Sequence, residues 1–220
     1  MLDTPTDTCY SDGMTRRGAI LWGVGVAAGL LAGMLLDAPG YRLFRDFGKQ
    51  HHSALSEWLK LTWLFGFLPF WLLVACGVGC AGSGANAARL KREAWGLVAA
   101  VVASGLLGNV LKILIRRERP HSGATGYTFR PWADQPFSDG GLGLPSGHVC
   151  LAFAGAWVLS RICPRARALW YVLAVLCAAN RLLEGRHFLS DVWVGAFVGS
   201  LVAALVWRRV VGAGEASRSA

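Results

Sequence analysis

The chain alternates long apolar runs with short connections that are mostly basic. Six of the runs approach the roughly 20 helical residues needed to cross a hydrocarbon core. They extend over approximately 19–36, 61–80, 94–115, 149–163, 168–183 and 192–207. Each predicts a transmembrane helix, the fourth and fifth being short enough to draw on flanking residues. The expected fold class is all-α: a six-transmembrane-helix bundle forming one domain over 16–211, with polar tails at 1–15 and 212–220. One long extramembrane loop, 116–147, joins helices three and four; it is rich in Gly, Pro and Asp, and loops of that length in compact domains usually carry function.

Between the first two runs, Tyr41, Phe44, Gly48, His51, Leu55 and Trp58 recur at helical spacing, with Arg42, Arg45 and Lys49 turned elsewhere. This predicts an amphipathic helix lying in the interface. The first run follows Arg16 and Arg17 but lacks a small-residue cleavage site, so it reads as a retained span and not an export signal.

Composition agrees with the pattern: 54% of residues are hydrophobic and only 16% charged. The net charge of +9 would suit nucleic acid if it covered a soluble face. Here Lys and Arg sit at the ends of apolar runs, so the expected partner is an anionic lipid bilayer and no nucleic acid. Cys76, Cys80, Cys150, Cys163 and Cys177 lie in apolar runs, where a thiol behaves as a small hydrophobe; neither a structural disulfide nor a metal or other cofactor is expected. Trp58, Trp132, Trp170 and Trp207 near span ends suit interfacial anchoring. A raw count of Lys and Arg ties between the two faces. The shorter loops carry Arg89, Lys91, Arg92, Arg161, Arg165 and Arg167, which orients both termini to the cytoplasm and the 116–147 loop to the outer face.

Three polar clusters break the apolar pattern: "KILIRRERP" at Lys112 to Pro120, "PSGH" at Pro145 to His148, and "RLLEGRHFLSD" at Arg181 to Asp191. The first ends span three, the second opens span four, and the third joins span five to span six. In an alternating bundle all three converge on one membrane face. Lys112, Arg119 and Arg181 supply cations suited to phosphate oxygens, two of them guanidinium forks. Ser146 and Gly147 begin a helix, whose exposed N–H groups favour an anion. His187 and Asp191 are four apart, so the carboxylate can take the Nδ1 proton and leave Nε2 to attack phosphorus. His148 has no such partner nearby and suits acid and base work. Arg116, Arg117 and Arg186 read as interfacial or headgroup contacts. Glu118 and Glu184 read as partners of nearby arginines, and His51, His52 and His121 as solvated.

The ordered set of Lys112, Arg119-Pro120, Pro145-Ser146-Gly147-His148, Arg181, His187 and Asp191 resembles the three-part signature of the type-2 phosphatidic acid phosphatase superfamily. That resemblance implies a membrane lipid phosphate or pyrophosphate phosphatase. Lys112, Arg119, Ser146, Gly147 and Arg181 would bind phosphate, His187 would form a phosphohistidine, Asp191 would orient it, and His148 would protonate the leaving group, without metal. One departure is Asn180, where the family commonly has Ser. "FRPWADQPFSDGG" and "GRHFLSDV" faintly resemble the lipid A phosphatase subgroup. Undecaprenyl pyrophosphate, phosphatidylglycerol phosphate, phosphatidic acid and lipid A phosphate are all candidate substrates. The alternatives are a lipid phosphotransferase and a non-catalytic lipid-binding or transport protein. The absence of an internal repeat and the placement of charges at span ends weigh against transport.

Overall fold

A computed structural model of the protein describes residues 16–121 and 126–212, with the side chains of 16–22 and 52–56 excepted. The expected tails, apart from Gly212, lie outside the described residues, as does the side chain of His52. The described residues form seven α-helices: α1 (Arg16–Gln50), α2 (His52–Trp63), α3 (Leu68–Cys80), α4 (Ala87–Ile115), α5 (Gly147–Ile162), α6 (Arg167–Leu183) and α7 (Leu189–Trp207). The architecture is all-helical, and isolated bridges, Arg117 with Phe129 and Glu118 with Leu142, are the extended pairing among the described residues.

Four helical stretches are long and apolar enough to cross a membrane: Gly23–Gln50, Gly84–Ile115, Pro164–Leu183 and Leu189–Val211. A fifth crossing results if Glu57–Gly66 and Leu68–Cys80 count together, but these two segments are bent by 70°. The sequence pattern predicted one straight span over 61–80. The chain instead breaks at Phe67, whose backbone is extended, and Pro69 sits in the first turn of α3, where its missing N–H is harmless. The predicted interfacial helix is also divided. α1 runs on through Pro39 to Gln50 and carries Tyr41, Phe44 and Gly48, while Leu55 and Trp58 belong to α2.

α5 is the centre of the bundle and packs on α4, α6 and α7; α3 covers α4, and α1 lies along α7 and α6. At 16 residues α5 is only about 24 Å long, so its ends stop short of a full crossing. It is nevertheless the most enclosed helix, because its Ala and Gly residues let neighbours approach. Val149, Cys150, Ala152, Ala154 and Val158 are fully buried. The ring of Trp71 occupies the space a side chain at Gly155 would need. Its indole N–H donates to Phe65 O at 2.8 Å, holding the bend between α2 and α3.

The α5–α7 contact depends on Gly195 and Gly199, one helical turn apart. A Cβ at Gly195 would lie 2.8 Å from Ser146 O, and one at Gly199 would collide with the α5 backbone at Cys150. This small-residue seam draws the helix that follows His187 against the start of the helix that carries His148. Trp157 and Trp207 meet edge to face at 6.3 Å, so Trp207 packs between helices, whereas Trp58 and Trp132 are exposed as interfacial anchors would be.

Candidate active site

The three polar clusters meet where α4 ends and α5 and α7 begin. α4 closes at Arg116, whose left-handed backbone (φ 58°) turns the chain while its N–H caps Lys112 O at 2.8 Å. This places Lys112 in the last turn of α4 and Arg119 just beyond it. Arg119 is steadied by a contact from its Nε to Leu142 O at 3.3 Å. On the opposite wall Ser146 precedes the first turn of α5 and its N–H donates to Asp191 O at 3.0 Å, fastening the start of α5 to α7.

Lys112, Arg119, Gly147 and His148 line one cavity of about 450 Å³, together with Asp139 and an apolar strip that includes Val101, Val102 and Leu106. A side chain at Gly147 would stand 3.5 Å from the Lys112 ammonium, so glycine keeps the approach to that charge open. Ser146, Arg181, His187 and Asp191 do not line the cavity but are all buried beside it. His148 lies within electrostatic reach of Arg181, His187, Lys112 and Arg119, which brings the clustered groups into one neighbourhood. Ser146 Oγ, His148 Nε2 and Arg181 Nε are buried polar atoms with no hydrogen-bond partner among the described residues. Each such atom costs about 1–3 kcal/mol, and the three together with the Lys112 and Arg119 cations form a set suited to the oxygens of an anion.

His187 Nδ1 faces Asp191 Oδ2 at 3.4 Å, the pairing that leaves Nε2 on the far side of the ring. The pairing arises at the start of α7, where Asp191 Oδ2 also accepts the Phe188 N–H at 2.9 Å, Phe188 being the capping position. Burial holds the His187 pKa below the ordinary imidazole value, and Arg119 and Lys112 add to that effect against the opposing pull of Asp191. The ring is thus neutral at neutral pH, the form a nucleophile requires. Burial also lowers the Arg119 pKa, with repulsion from Arg186 next in importance, yet a guanidinium stays charged.

Two arginines correct the sequence reading. Arg116 and Arg117, expected to lie in the interface, are 2% and 3% exposed. Arg116 organises the long loop: its guanidinium donates to the carbonyls of Arg130 at 3.0 Å, Pro131 at 2.9 Å and Pro136 at 3.1 Å and to that of Asp134, and it lies 4.8 Å from the Trp132 ring. Arg117 pairs with Asp191 and donates to Ser190 Oγ at 2.7 Å, while its charge sits 4.6 Å from the Tyr127 ring. Asp37 of α1 completes this network. It accepts the Ser190 N–H at 2.8 Å, the Ser190 hydroxyl, and the Tyr127 hydroxyl at 2.7 Å. Burial and the bond to Asp37 push the Tyr127 pKa up to about 12, so the phenol remains a donor. The signal for both omissions was present: ionisable residues inside or beside an apolar run are costly and usually functional.

Asn180 also has a defined place. Its amide donates to Leu59 O and to Thr62 Oγ1 at 3.1 Å, and its Oδ1 accepts from Arg181 at 3.2 Å. It therefore ties α2 to α6 and steadies Arg181, which also pairs with Glu184 at 2.8 Å. α2 in turn presents Trp63, whose ring lies 5.5 Å from that of His148. As expected, Glu118 pairs with an arginine, Arg130, at 3.5 Å. His51 and His121 are exposed.

Comparison with known proteins places this geometry among relatives. The chain is 36% identical to a lipid A 1-phosphatase of Rhizobium etli over 118 residues, 51% of this chain and 50% of that protein. It is 26% identical to a probable diacylglycerol pyrophosphate phosphatase 1 of Schizosaccharomyces pombe, covering 80% of this chain and 74% of the relative. A decaprenylphosphoryl-5-phosphoribose phosphatase of Mycobacterium tuberculosis matches at 33%, covering 62% and 69% respectively. The match thus spans about half the length of the lipid A 1-phosphatase. The crystal structure of LpxE from Aquifex aeolicus shares the fold with a TM-score of 0.53 and 21% identity, over 76% of this chain and 93% of that one. Residues 93–214, which take in every clustered position from Lys112 to Asp191, match the PAP2 superfamily, and the chain belongs to that family.

Proposed function

We propose that the protein is an integral membrane phosphatase that hydrolyses a lipid phosphate or pyrophosphate through a phosphohistidine. The observation that carries this reading is the cavity where Lys112, Arg119, Gly147 and His148 meet at the end of an apolar strip. Headgroup phosphate would lie against the cations while acyl or isoprenyl chains follow the strip toward lipid. The relatives act, by their names, on lipid A, diacylglycerol pyrophosphate and a decaprenyl-linked sugar phosphate, which supports a lipid substrate for this chain.

In this mechanism His187 Nε2 forms a bond to phosphorus as the bond from phosphorus to the leaving oxygen breaks, and His148 delivers a proton to that oxygen. Asp191 balances the charge on His187 through Nδ1. Lys112, Arg119, Arg181, the Ser146 hydroxyl and the first N–H groups of α5 take up the charge developing on the other oxygens. Water then attacks phosphorus with His148 taking its proton as the phosphorus–Nε2 bond breaks, yielding phosphate and returning His187 to imidazole and His148 to imidazolium. Lys112, Arg119 and Arg181 make the cavity electropositive, which opposes a divalent cation and supports a metal-independent route. Six crossings, both termini in the cytoplasm and a site on the outer face of a bacterial inner membrane complete the proposal; the basic α3–α4 and α5–α6 connections support that orientation.

The test is phosphate release by purified protein from phosphatidic acid, phosphatidylglycerol phosphate, undecaprenyl pyrophosphate and lipid A, in excess EDTA. Release should persist, and His187→Ala should reduce it by at least about a thousandfold, the scale of losing a covalent nucleophile. Release that needs added metal, or an unimpaired His187→Ala protein, would contradict the mechanism.

A further inference from the structure

A second and larger cavity, of about 860 Å³, lies between the end of α1, the C-terminal half of α2 and the end of α6, outside the strip described above. Its rim carries Arg45, Lys49, Lys60 and Arg186, and its floor includes Trp63 and Leu183. Two carboxylates also line it, but each is engaged: Glu57 with Lys60 at 2.7 Å and Glu184 with Arg181 at 2.8 Å. Among the described residues Lys49 and Arg186 make no ion pair, so the rim holds a surplus of positive charge. The two cavities share a wall. Trp63 lines the larger one and lies 5.5 Å from the His148 ring of the smaller. Arg186 lines the larger one and acts electrostatically on Arg119 of the smaller.

We propose that this cavity is a headgroup subsite for a second anionic group of the lipid substrate, a phosphate separated from the scissile one by the body of the headgroup. The proposal rests on the phosphatase reading above and adds a substrate class to it: lipids with a phosphate at each end of a large polar headgroup. Three features support that occupant. The volume exceeds what one phosphate fills, the rim cations match a second anion, and the Trp63 face offers an apolar surface for the headgroup body between the two charges. A lipid monophosphate with no such extension engages only the smaller cavity.

The test compares lipid A bearing phosphates at both ends of its disaccharide with phosphatidic acid, using wild type, Arg45→Gln with Lys49→Gln, and Arg45→Lys with Lys49→Arg. Lys49 is exposed, whereas Arg45 packs on Tyr41 and Gly185 and pairs with Asp46 at 3.4 Å, so an unchanged elution profile and unfolding midpoint are required to verify the fold. Equilibrium binding to each lipid is measured in a His187→Ala background, so that the subsite is read whether or not turnover occurs. The charge-removing pair should weaken binding of the bisphosphorylated lipid by about tenfold or more, the scale for losing charge-assisted contacts, and leave phosphatidic acid within about twofold. The charge-retaining pair should restore the preference. Equal weakening on both lipids, or none on either, overturns the subsite. Absence of phosphate release in the wild-type protein contradicts the phosphatase reading alone.

Discussion

At the scale of single residues, the candidate site depends on groups that do not line its cavity. Arg117 is buried between Asp191 and the Tyr127 ring with Asp37 nearby, and a lysine there could not span the same partners. Arg117→Ala should cost about 3–5 kcal/mol, because it leaves buried carboxylates uncompensated. Arg117→Lys should keep more of the stability yet still lower kcat through Asp191; denaturant unfolding and phosphate release measure the two effects separately. Asn180→Ser, which restores the residue common in the family, should lose the reach to Leu59 and Thr62 and cost about 1–2 kcal/mol, with His187-dependent release retained. The direction of the His187 shift gives a pH prediction. Its folded pKa lies below the unfolded value of about 6.5, so the unfolded chain binds the extra proton first. Stability from this group is present above pH 6.5 and declines as pH falls below it toward the folded value. His187→Gln should flatten that slope in unfolding midpoints recorded against pH. The acid limb of kcat/KM should likewise fall below the ordinary histidine range.

At the scale of elements, the site is assembled by the packing of α1, α5 and α7. Asp37 on α1 holds the Ser190 N–H and hydroxyl at the head of α7, and Asp37→Asn should loosen that junction, seen as faster hydrogen exchange at Ser190 and reduced kcat. Gly199→Val forces a side chain into the backbone of α5 and should destabilise by about 3 kcal/mol or prevent folding, whereas Gly25→Val, with nothing near its missing side chain, should not. The positions of five helices were legible as apolar runs, α5 included despite its length. The break at Phe67 was not, because hydropathy is the same on both sides of it and only backbone geometry distinguishes a bent pair from one span. The continuation of α1 to Gln50 was missed for the opposite reason. Its polarity changes sharply after Leu36, while the helix itself persists through Pro39.

At the scale of the whole molecule, the proposed orientation can be checked by labelling. Cys163, exposed at the turn between α5 and α6, should resist a membrane-impermeant thiol reagent in intact cells and react after permeabilisation. A cysteine placed at Phe137, 87% exposed in the long loop, should react in both cases. The reverse pattern would invert the topology. Linear order alone brought Lys112, Arg119, Ser146, Gly147, His148, Arg181, His187 and Asp191 to notice, because helices that alternate direction must return the ends of consecutive spans to one face. Residue type and spacing therefore determined the family, the helical class and the candidate phosphate-binding set. Only the tertiary structure decided that Arg117 and Asp37 support Asp191, that Arg116 shapes the loop, that Asn180 ties α2 to Arg181, and that a second basic cavity adjoins the first. Those contacts join residues many positions apart, and a sequence pattern records periodicity along one element, not which buried charges meet when elements pack.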